Sequence, residues 1–263
     1  MGRAKEIIVK VIPSKIANEF VKKHHYSGRI VQNSVLHFGC FLDNKLHGVM
    51  SFGSPLDKSK VIGLVQPCLW NEMLELNRMA FDDYLPKYSE SRCLSIAFKL
   101  IKKNAPHIKW ILSFSDGCQS GDGTIYRASG FKLTGITKNQ GQFILPDGTI
   151  TMDVNLELRM SPTISKKWNP ENIPRKRWIK ENNCKYLDGK MLRYIYLIDK
   201  TCKITVPILP FSKIDELGAG MYKGKKITLA ERQTSAGSVT VAQQSSRLQE
   251  GFNSTLALNK TIN

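Results

Sequence analysis

The sequence predicts an α+β protein with a mixed central sheet and flanking helices. Strand-like and helix-like segments alternate between Leu76 and Phe131 in the order strand, helix, strand, helix. A tight turn at residues 43–45 joins two earlier apolar segments, which is a strong hairpin signal. The chain has 263 residues, of which 41% are hydrophobic, so it is long and apolar enough to bury a substantial core.

The first half of the chain contains one predicted helix among four predicted strands. Residues 6–13 favour a strand, and Ser14 is expected to cap a helix whose apolar residues recur at helical spacing. Residues 35–42 and 46–52 form the predicted hairpin, and residues 74–81 supply the next strand.

The second half opens with a central helix that begins at residues 89–91 and stops before Pro106. Residues 108–114 predict a buried strand ended by a turn at 115–117, and a short helix then ends at Gly130. Residues 131–137 and 152–160 predict two more strands. The predicted order is therefore β-α-β-β-β-α-β-α-β-β, with polar residues at strand ends where active sites commonly form.

The charge of the chain points to a nucleic-acid partner. Its 39 basic and 22 acidic residues give a net charge of +17, which is typical of proteins that bind polyanions. No apolar run reaches membrane-spanning length, so we expect a cytoplasmic protein without a membrane partner. The six cysteines include no C-x-x-C pair, and we predict no metal site.

A basic segment follows the predicted sheet. Residues 159–203 hold twelve Lys or Arg and four acidic residues, interleaved with aromatic residues that favour phosphate contact and base stacking. The alternative is a solvated hairpin at residues 186–198. We predict a catalytic domain at 1–160, a basic extension at 161–229 and a disordered tail at 230–263. The predicted DNA-contact residues are Lys166, Lys167, Arg175, Lys176, Arg177 and Lys180.

Five motifs give the chain a family resemblance. They are HHYSGR (24–29), LNRMAF (76–81), SESR (89–92), SFSDG (113–117) and GDGTIYRASGF (121–131). Together they resemble the GNAT N-acetyltransferase fold and, more closely, the Mom family of phage DNA-modification proteins. That resemblance implies conversion of adenine in double-stranded DNA to N6-carbamoylmethyladenine, which protects phage DNA from restriction in the bacterial host cell.

The resemblance also implies the catalytic residues. Tyr126 would protonate a leaving group, and Asp116 would accept a proton from the exocyclic amine. His25 and Tyr26 would shape a pocket for an extruded adenine, while Arg78 within a strand needs a phosphate, carboxylate or carbonyl partner. The structural alternatives are a core tyrosine, a turn aspartate that bonds its own backbone, and a histidine pair that caps a helix.

The sequence leaves the donor open. Ser89, Ser91 and Arg92 begin the central helix, whose backbone N–H groups attract anions, so they are the predicted cofactor-binding residues. The GNAT resemblance implies acetyl-CoA, but residues 87–92 lack the glycine-rich loop of acetyltransferases. A carbamoylmethyl group is attached through its CH2 carbon, which simple acetyl transfer does not produce. A glycine-derived activated donor such as an aminoacyl-tRNA, a rearrangement or a second protein would resolve this.

Two other functions fit the sequence. One is an acetyl-CoA-dependent N-acetyltransferase that acts on a protein, an RNA or a small amine. The other is a non-catalytic DNA-binding protein with the same fold. The oligomeric state is open, with a dimer among the options.

Overall fold

The computed structural model describes residues 3–139 and 141–231. Its strands are β1 (Ile8–Val11), β2 (Ser34–Leu42), β3 (Lys45–Gly53), β4 (Val65–Gln66), β5 (Met73–Phe81), β6 (Trp110–Gly117), β7 (Lys132–Lys138), β8 (Gln142–Ile144), β9 (Ile150–Met152), β10 (Lys190–Leu197), β11 (Lys203–Ile204), β12 (Met221–Tyr222) and β13 (Lys225–Lys226). Its α-helices are α1 (Ser14–His24), α2 (Lys58–Val61), α3 (Ser89–Asn104), α4 (Thr124–Ala128), α5 (Pro162–Trp168), α6 (Arg175–Glu181) and α7 (Ser212–Glu216). Short 3-10 helices span Arg3–Glu6, Ile62–Leu64 and Asp153–Leu156.

A seven-stranded central sheet has the order β1-β2-β3-β5-β6-β10-β7. The β5–β6 pair is parallel and the other neighbouring pairs are antiparallel, so the predicted mixed α+β class is confirmed. Strand β10 lies between β6 and β7, although it belongs to the segment predicted as a separate extension. The sheet therefore crosses the predicted boundary at residue 160.

The two long helices cover opposite faces of this sheet. Side chains alternate along β3, so Met50 packs in the core under α3, whereas Val49 packs against α1. Helix α3 buries Leu94, Phe98 and Ile101 in that core. Burial of each such side chain stabilises the fold by about 1.5–3 kcal/mol, so α3 is firmly held.

Strands β5 and β6 separate part way along their length. Their parallel pairing begins at Met73 and Trp110 and ends at Leu76 and Ser113. Beyond that point β5 continues beside β3, while β6 continues beside β10. The Ser113 hydroxyl donates a 3.1 Å hydrogen bond to the Leu76 carbonyl at the point of separation. We call this opening between the two strands the fork.

The structure corrects three of the predicted elements. Ser14 is the first residue of α1 and makes no side-chain capping bond. The turn predicted at residues 115–117 is strand, because β10 pairs with β6 as far as Gly117. The strand predicted at residues 152–160 ends at Met152, where the chain enters a 3-10 helix before α5 begins at Pro162.

An inserted unit occupies the chain between β7 and β10. It contains β8, β9, α5 and α6, and its own core holds Phe143, Leu145, Leu156, Trp178 and Ile179. The alternative hairpin at residues 186–198 does not form, because β10 joins the central sheet instead. In the described part of the chain, no helix has the length and apolar character to cross a membrane. Apart from residues 230 and 231, the predicted tail lies outside the described residues.

Glu75 is a partly buried carboxylate on β5. Burial raises its pKa to about 7, and the positive charge of Arg78 opposes that increase. An acid whose pKa is raised in the folded state holds its proton after the unfolded chain has lost it. Glu75 therefore lowers stability progressively as the pH rises.

We predict that Gly123→Ala destabilises the protein more than Gly148→Ala. Both glycines have positive φ, at 86° and 82°, so both substitutions cost about 1 kcal/mol of backbone strain. A Cβ at Gly123 would also lie 2.6 Å from Cζ of Tyr194, whereas nothing lies within 4 Å at Gly148. Chemical denaturation should show an additional loss of about 1–3 kcal/mol for Gly123→Ala. Equal losses would contradict this packing.

We predict that Glu75→Gln removes a pH-dependent loss of stability. In the wild type, the contribution of Glu75 to the free energy of unfolding should fall by up to about 3 kcal/mol between about pH 4.5 and pH 7 and then level off. Denaturation of both proteins from pH 4.5 to 8 measures the difference. Glu19→Gln, at an exposed position on α1, controls for the change of residue type. If the free energies of unfolding of the wild type and Glu75→Gln change in parallel with pH, the partly buried carboxylate has no such effect.

Candidate active site

A cavity of about 610 Å³ lies at the fork. Residues 76–79 of β5 and residues 114–116 of β6 line it, together with residues 120–126 at the start of α4. The five predicted catalytic residues all line this cavity: His25, Tyr26, Arg78, Asp116 and Tyr126. Residues that lie far apart in the chain are thus brought together where the strands diverge.

Asp116 lies in the wall of the cavity and is only 9% exposed. Its Oδ1 accepts a 2.9 Å hydrogen bond from the Cys118 backbone N–H, as expected of a turn aspartate. Its Oδ2 accepts bonds of 3.0 Å each from the Tyr26 hydroxyl and from Nε2 of Gln142. The structural and catalytic interpretations of Asp116 are therefore compatible, because they use different oxygens.

Tyr26 lies beside Asp116 in the cavity wall. It is 51% exposed and lines the cavity, while its hydroxyl donates to Asp116. Desolvation, and then the charge of Asp116, raise the pKa of Tyr26, so the phenol keeps its proton at neutral pH. Tyr26 and Asp116 therefore meet a ligand in the cavity as a hydrogen-bonded pair.

The His25 ring packs against the Tyr26 ring. The two ring centroids are 4.4 Å apart, and Nδ1 of His25 lies 2.8 Å from the Ser27 hydroxyl. Burial, reinforced by the charge of Arg78, lowers the pKa of His25 to about 4. His25 does occupy the C-cap of α1, but its imidazole is neutral at neutral pH and so provides no charge for the helix dipole.

Arg78 has the partners that the sequence required, and they are backbone carbonyls. Its Nε donates to the Arg29 carbonyl at 2.8 Å, and its Nη1 donates to the Asn77 carbonyl at 2.7 Å. Burial lowers the pKa of Arg78. Within the described residues Nη2 has no hydrogen-bond partner, which makes it a donor for a ligand in the cavity.

Tyr126 is held at the fork by packing on several sides. Its ring centroid lies 5.2 Å from that of Phe131 and 5.3 Å from that of Tyr194, and the side chain is only 9% exposed. Burial raises its pKa, and the neighbouring Ser113 side chain opposes that increase. The result is a protonated phenol in a fixed position, as a general acid requires.

The start of α3 forms another wall of the cavity, and its side chains offer few donors to a phosphate. The Ser89 and Ser91 hydroxyls donate to the carbonyls of Pro86 and Tyr88, so neither proton is directed into the cavity. Ser91 lines the cavity together with the anionic side chain of Glu90, which would repel phosphate. Ser89 and Arg92, the other predicted cofactor-binding residues, are not part of the lining.

Sequence reasoning missed two contributions to the site. Gln142, from the inserted unit, donates to Asp116 and accepts a 2.5 Å hydrogen bond from Gln119. Tyr222 and Lys223, near the C-terminal end of the described chain, line the cavity from a separate hairpin. No local motif marks these residues, because their proximity depends on tertiary contacts.

The predicted DNA-contact residues lie on α5 and α6 rather than in the cavity. Three of these six residues have intramolecular ion pairs: Lys167 with Asp147, Arg175 with Asp153 and Glu157, and Arg177 with Glu181. Lys166, Lys176 and Lys180 are exposed and have no ion pair within the described residues. Among residues 3–139 and 141–231, no cluster of three His, Cys, Asp or Glu side chains is arranged to hold a metal ion.

Comparison with solved structures finds acetyltransferases. Spermidine/spermine N-acetyltransferase SpeG from Vibrio cholerae covers 76% of this chain and 97% of its own, at 8% identity and a TM-score of 0.43. The ribosomal-protein-S18-alanine N-acetyltransferase from Escherichia coli covers 73% of this chain and 94% of its own, at 10% identity and a TM-score of 0.40.

Sequence comparison finds a closer relation. Over 132 residues the chain is 36% identical to a protein of Escherichia phage Mu named methylcarbamoylase mom. This alignment covers 50% of the chain and 55% of the Mu protein, so it spans only about half of that relative's length. The model of the Mom protein family matches residues 6–213. By that match the chain belongs to the Mom protein family.

Proposed function

We propose that this chain is a transferase that modifies adenine in double-stranded DNA, converting it to N6-carbamoylmethyladenine. Its setting would be the cytoplasm of an infected bacterial host, where the modification protects phage DNA from restriction. Membership of the Mom family and the name of the Mu relative support DNA modification. The net charge of +17 suits a polyanionic substrate.

The observation that best supports this proposal is the hydrogen-bonded pair of Tyr26 and Asp116 in a cavity at the fork. An enzyme that acts on a base in duplex DNA must extrude that base into a pocket. The half-exposed ring of Tyr26 offers a stacking surface for it. Arg78 offers a free donor, and Tyr126 faces the same space. The cavity thus combines base recognition with acid–base groups.

The exocyclic amine of adenine is weakly basic and must lose a proton as it forms a new bond. We propose that this proton passes to the Tyr26 oxygen while the phenolic proton moves to Asp116, 3.0 Å away. Tyr126, which lines the same cavity, protonates the departing oxygen of the donor. One proton leaves N6 and one proton joins the leaving group, so the transfer is balanced.

We propose that the donor is an activated ester of glycine rather than a coenzyme A thioester. Glu90 lines the cavity, and the serine hydroxyls at the start of α3 donate to backbone carbonyls rather than to a ligand. Both features disfavour a pyrophosphate. A glycyl group and a carbamoylmethyl group on N6 are isomers. Acyl transfer from the glycine ester to N6, with release of the alcohol, followed by rearrangement would therefore attach the CH2 carbon to nitrogen without any further reactant.

We predict that DNA from cells expressing this chain contains a deoxyadenosine heavier by the carbamoylmethyl increment. Asp116→Asn and Tyr26→Phe should each reduce the modified nucleoside by about 10²-fold or more, because each breaks the proton relay. Mass spectrometry of digested DNA measures this. His107→Asn, at an exposed residue outside the cavity lining, serves as the control and should retain modification.

An acetyl increment would instead favour an acetyl-CoA-dependent N-acetyltransferase. Unmodified DNA from cells containing folded wild-type protein would contradict the proposed reaction and favour a DNA-binding protein without catalysis. Full modification by Asp116→Asn would show that the proton relay is misassigned.

We predict that the unpaired lysines of the inserted unit contact DNA phosphates. Replacement of Lys166, Lys176 and Lys180 by Gln should flatten the slope of log K against log salt, by about 0.9 for each phosphate that a lysine no longer neutralises. Anisotropy titrations of a labelled duplex measure the slope. The control replaces three exposed lysines of α3 that lie outside the cavity lining, namely Lys99, Lys102 and Lys103. Equal slopes for both triple variants would contradict a specific role for α5 and α6.

A further inference from the structure

A small hairpin near the end of the described chain completes the wall of the cavity. It consists of β12 and β13, which pair Met221 with Lys226 and Tyr222 with Lys225. Its turn residues Lys223 and Gly224 both have positive φ, at 46° and 75°. The family match ends at residue 213, so the hairpin lies outside the region that identifies the family.

Several contacts fix this hairpin to the loop between β6 and α4. The Met221 carbonyl accepts a 3.0 Å hydrogen bond from the Asp122 N–H, and the Gly224 N–H donates a 2.8 Å bond to the Ser120 carbonyl. Lys226 forms an ion pair with Asp188. The hairpin is therefore docked beside the catalytic loop at both its base and its tip.

Docking brings a cation and an aromatic ring to the cavity. Tyr222 and Lys223 line it, Tyr222 is 56% exposed, and the ammonium of Lys223 lies 6.0 Å from the Tyr222 ring centroid. Lys223 has no ion-pair partner in the described chain. Its left-handed backbone, unusual for lysine, belongs to the turn of the hairpin.

We infer that Tyr222 and Lys223 bind the DNA strand beside the extruded base, with Lys223 on a backbone phosphate. An extruded base stays linked to its phosphates, so those phosphates must lie at the cavity entrance while the base lies inside. The lysines and arginines that line the cavity are Arg78, Lys87 and Lys223. Arg78 lies on β5 at the fork, where its unpaired Nη2 is proposed to meet the base, and Lys87 lies two residues before α3 rather than on the hairpin.

This inference rests on the proposed function for its choice of DNA as the ligand. The same phosphate chemistry occurs in coenzyme A, which would place Lys223 on a donor instead. The exposed Tyr222 ring beside Lys223 suits a neighbouring base of the DNA strand. Lys223 is thus assigned to the substrate strand.

Lys223→Gln and its control Lys225→Gln test the inference. Both residues are exposed lysines of the same hairpin without an ion pair in the described chain, but only Lys223 lines the cavity. Anisotropy with a labelled duplex, at several salt concentrations, should show several-fold weaker binding for Lys223→Gln and a salt slope reduced by about 0.9. Lys225→Gln should stay near the wild type. Lys223→Asn should behave like Lys223→Gln, because Asn tolerates the left-handed turn.

The outcomes separate this inference from the proposed reaction. Equal effects of Lys223→Gln and Lys225→Gln, or no binding of the duplex by the wild type, would overturn the inference. So would a Lys223-dependent affinity for coenzyme A without one for DNA. If DNA from expressing cells is unmodified while Lys223→Gln still weakens binding selectively, the proposed reaction fails and the contact with DNA stands.

Discussion

The separation of β5 and β6 is the constraint on which the rest of the structure depends. Parallel pairing stops at Leu76 and Ser113, and the polar backbone groups beyond that point need other partners. The Ser113 hydroxyl satisfies the Leu76 carbonyl, and the same side chain opposes the rise that burial causes in the pKa of the neighbouring Tyr126. A single serine therefore lies both at the end of the parallel pairing and beside the phenol proposed as the general acid.

The site is completed by segments that lie far from the central motifs in sequence. Strand β10 pairs with β6 along its length, including Asp116. This pairing holds the carboxylate in a strand rather than a turn. Gln142 ties the inserted unit to the same carboxylate, so the unit that bears the unpaired lysines contacts the proposed proton acceptor. The hairpin of β12 and β13 contributes Met221 and Tyr222 to the cavity lining. The unit proposed to contact DNA is thus joined to the proposed proton acceptor by a direct hydrogen bond.

The pattern of neighbouring residues predicted most of the fold. It encodes the hairpin turn, the apolar face of α3 and the strand β5. The strand at residues 115–117 was missed because only its pairing with β10 stabilises it. Family resemblance located His25, Tyr26, Arg78, Asp116 and Tyr126, and the structure brings them together. It could not locate Gln142, Tyr222 or Lys223, because no local spacing records a tertiary contact. Nor could sequence show that the Tyr26 hydroxyl donates a hydrogen bond to Asp116.

We propose that adenine enters the cavity at the fork and presents N6 to Tyr26 and Asp116. A crystal structure of the wild-type protein with a duplex that carries the target adenine opposite an abasic site would test this proposal. We expect an extruded adenine beside the Tyr26 ring, with N6 within hydrogen-bond distance of the Tyr26 oxygen. An adenine that stays stacked in the duplex, or one bound away from Asp116, would refute the proposed binding mode.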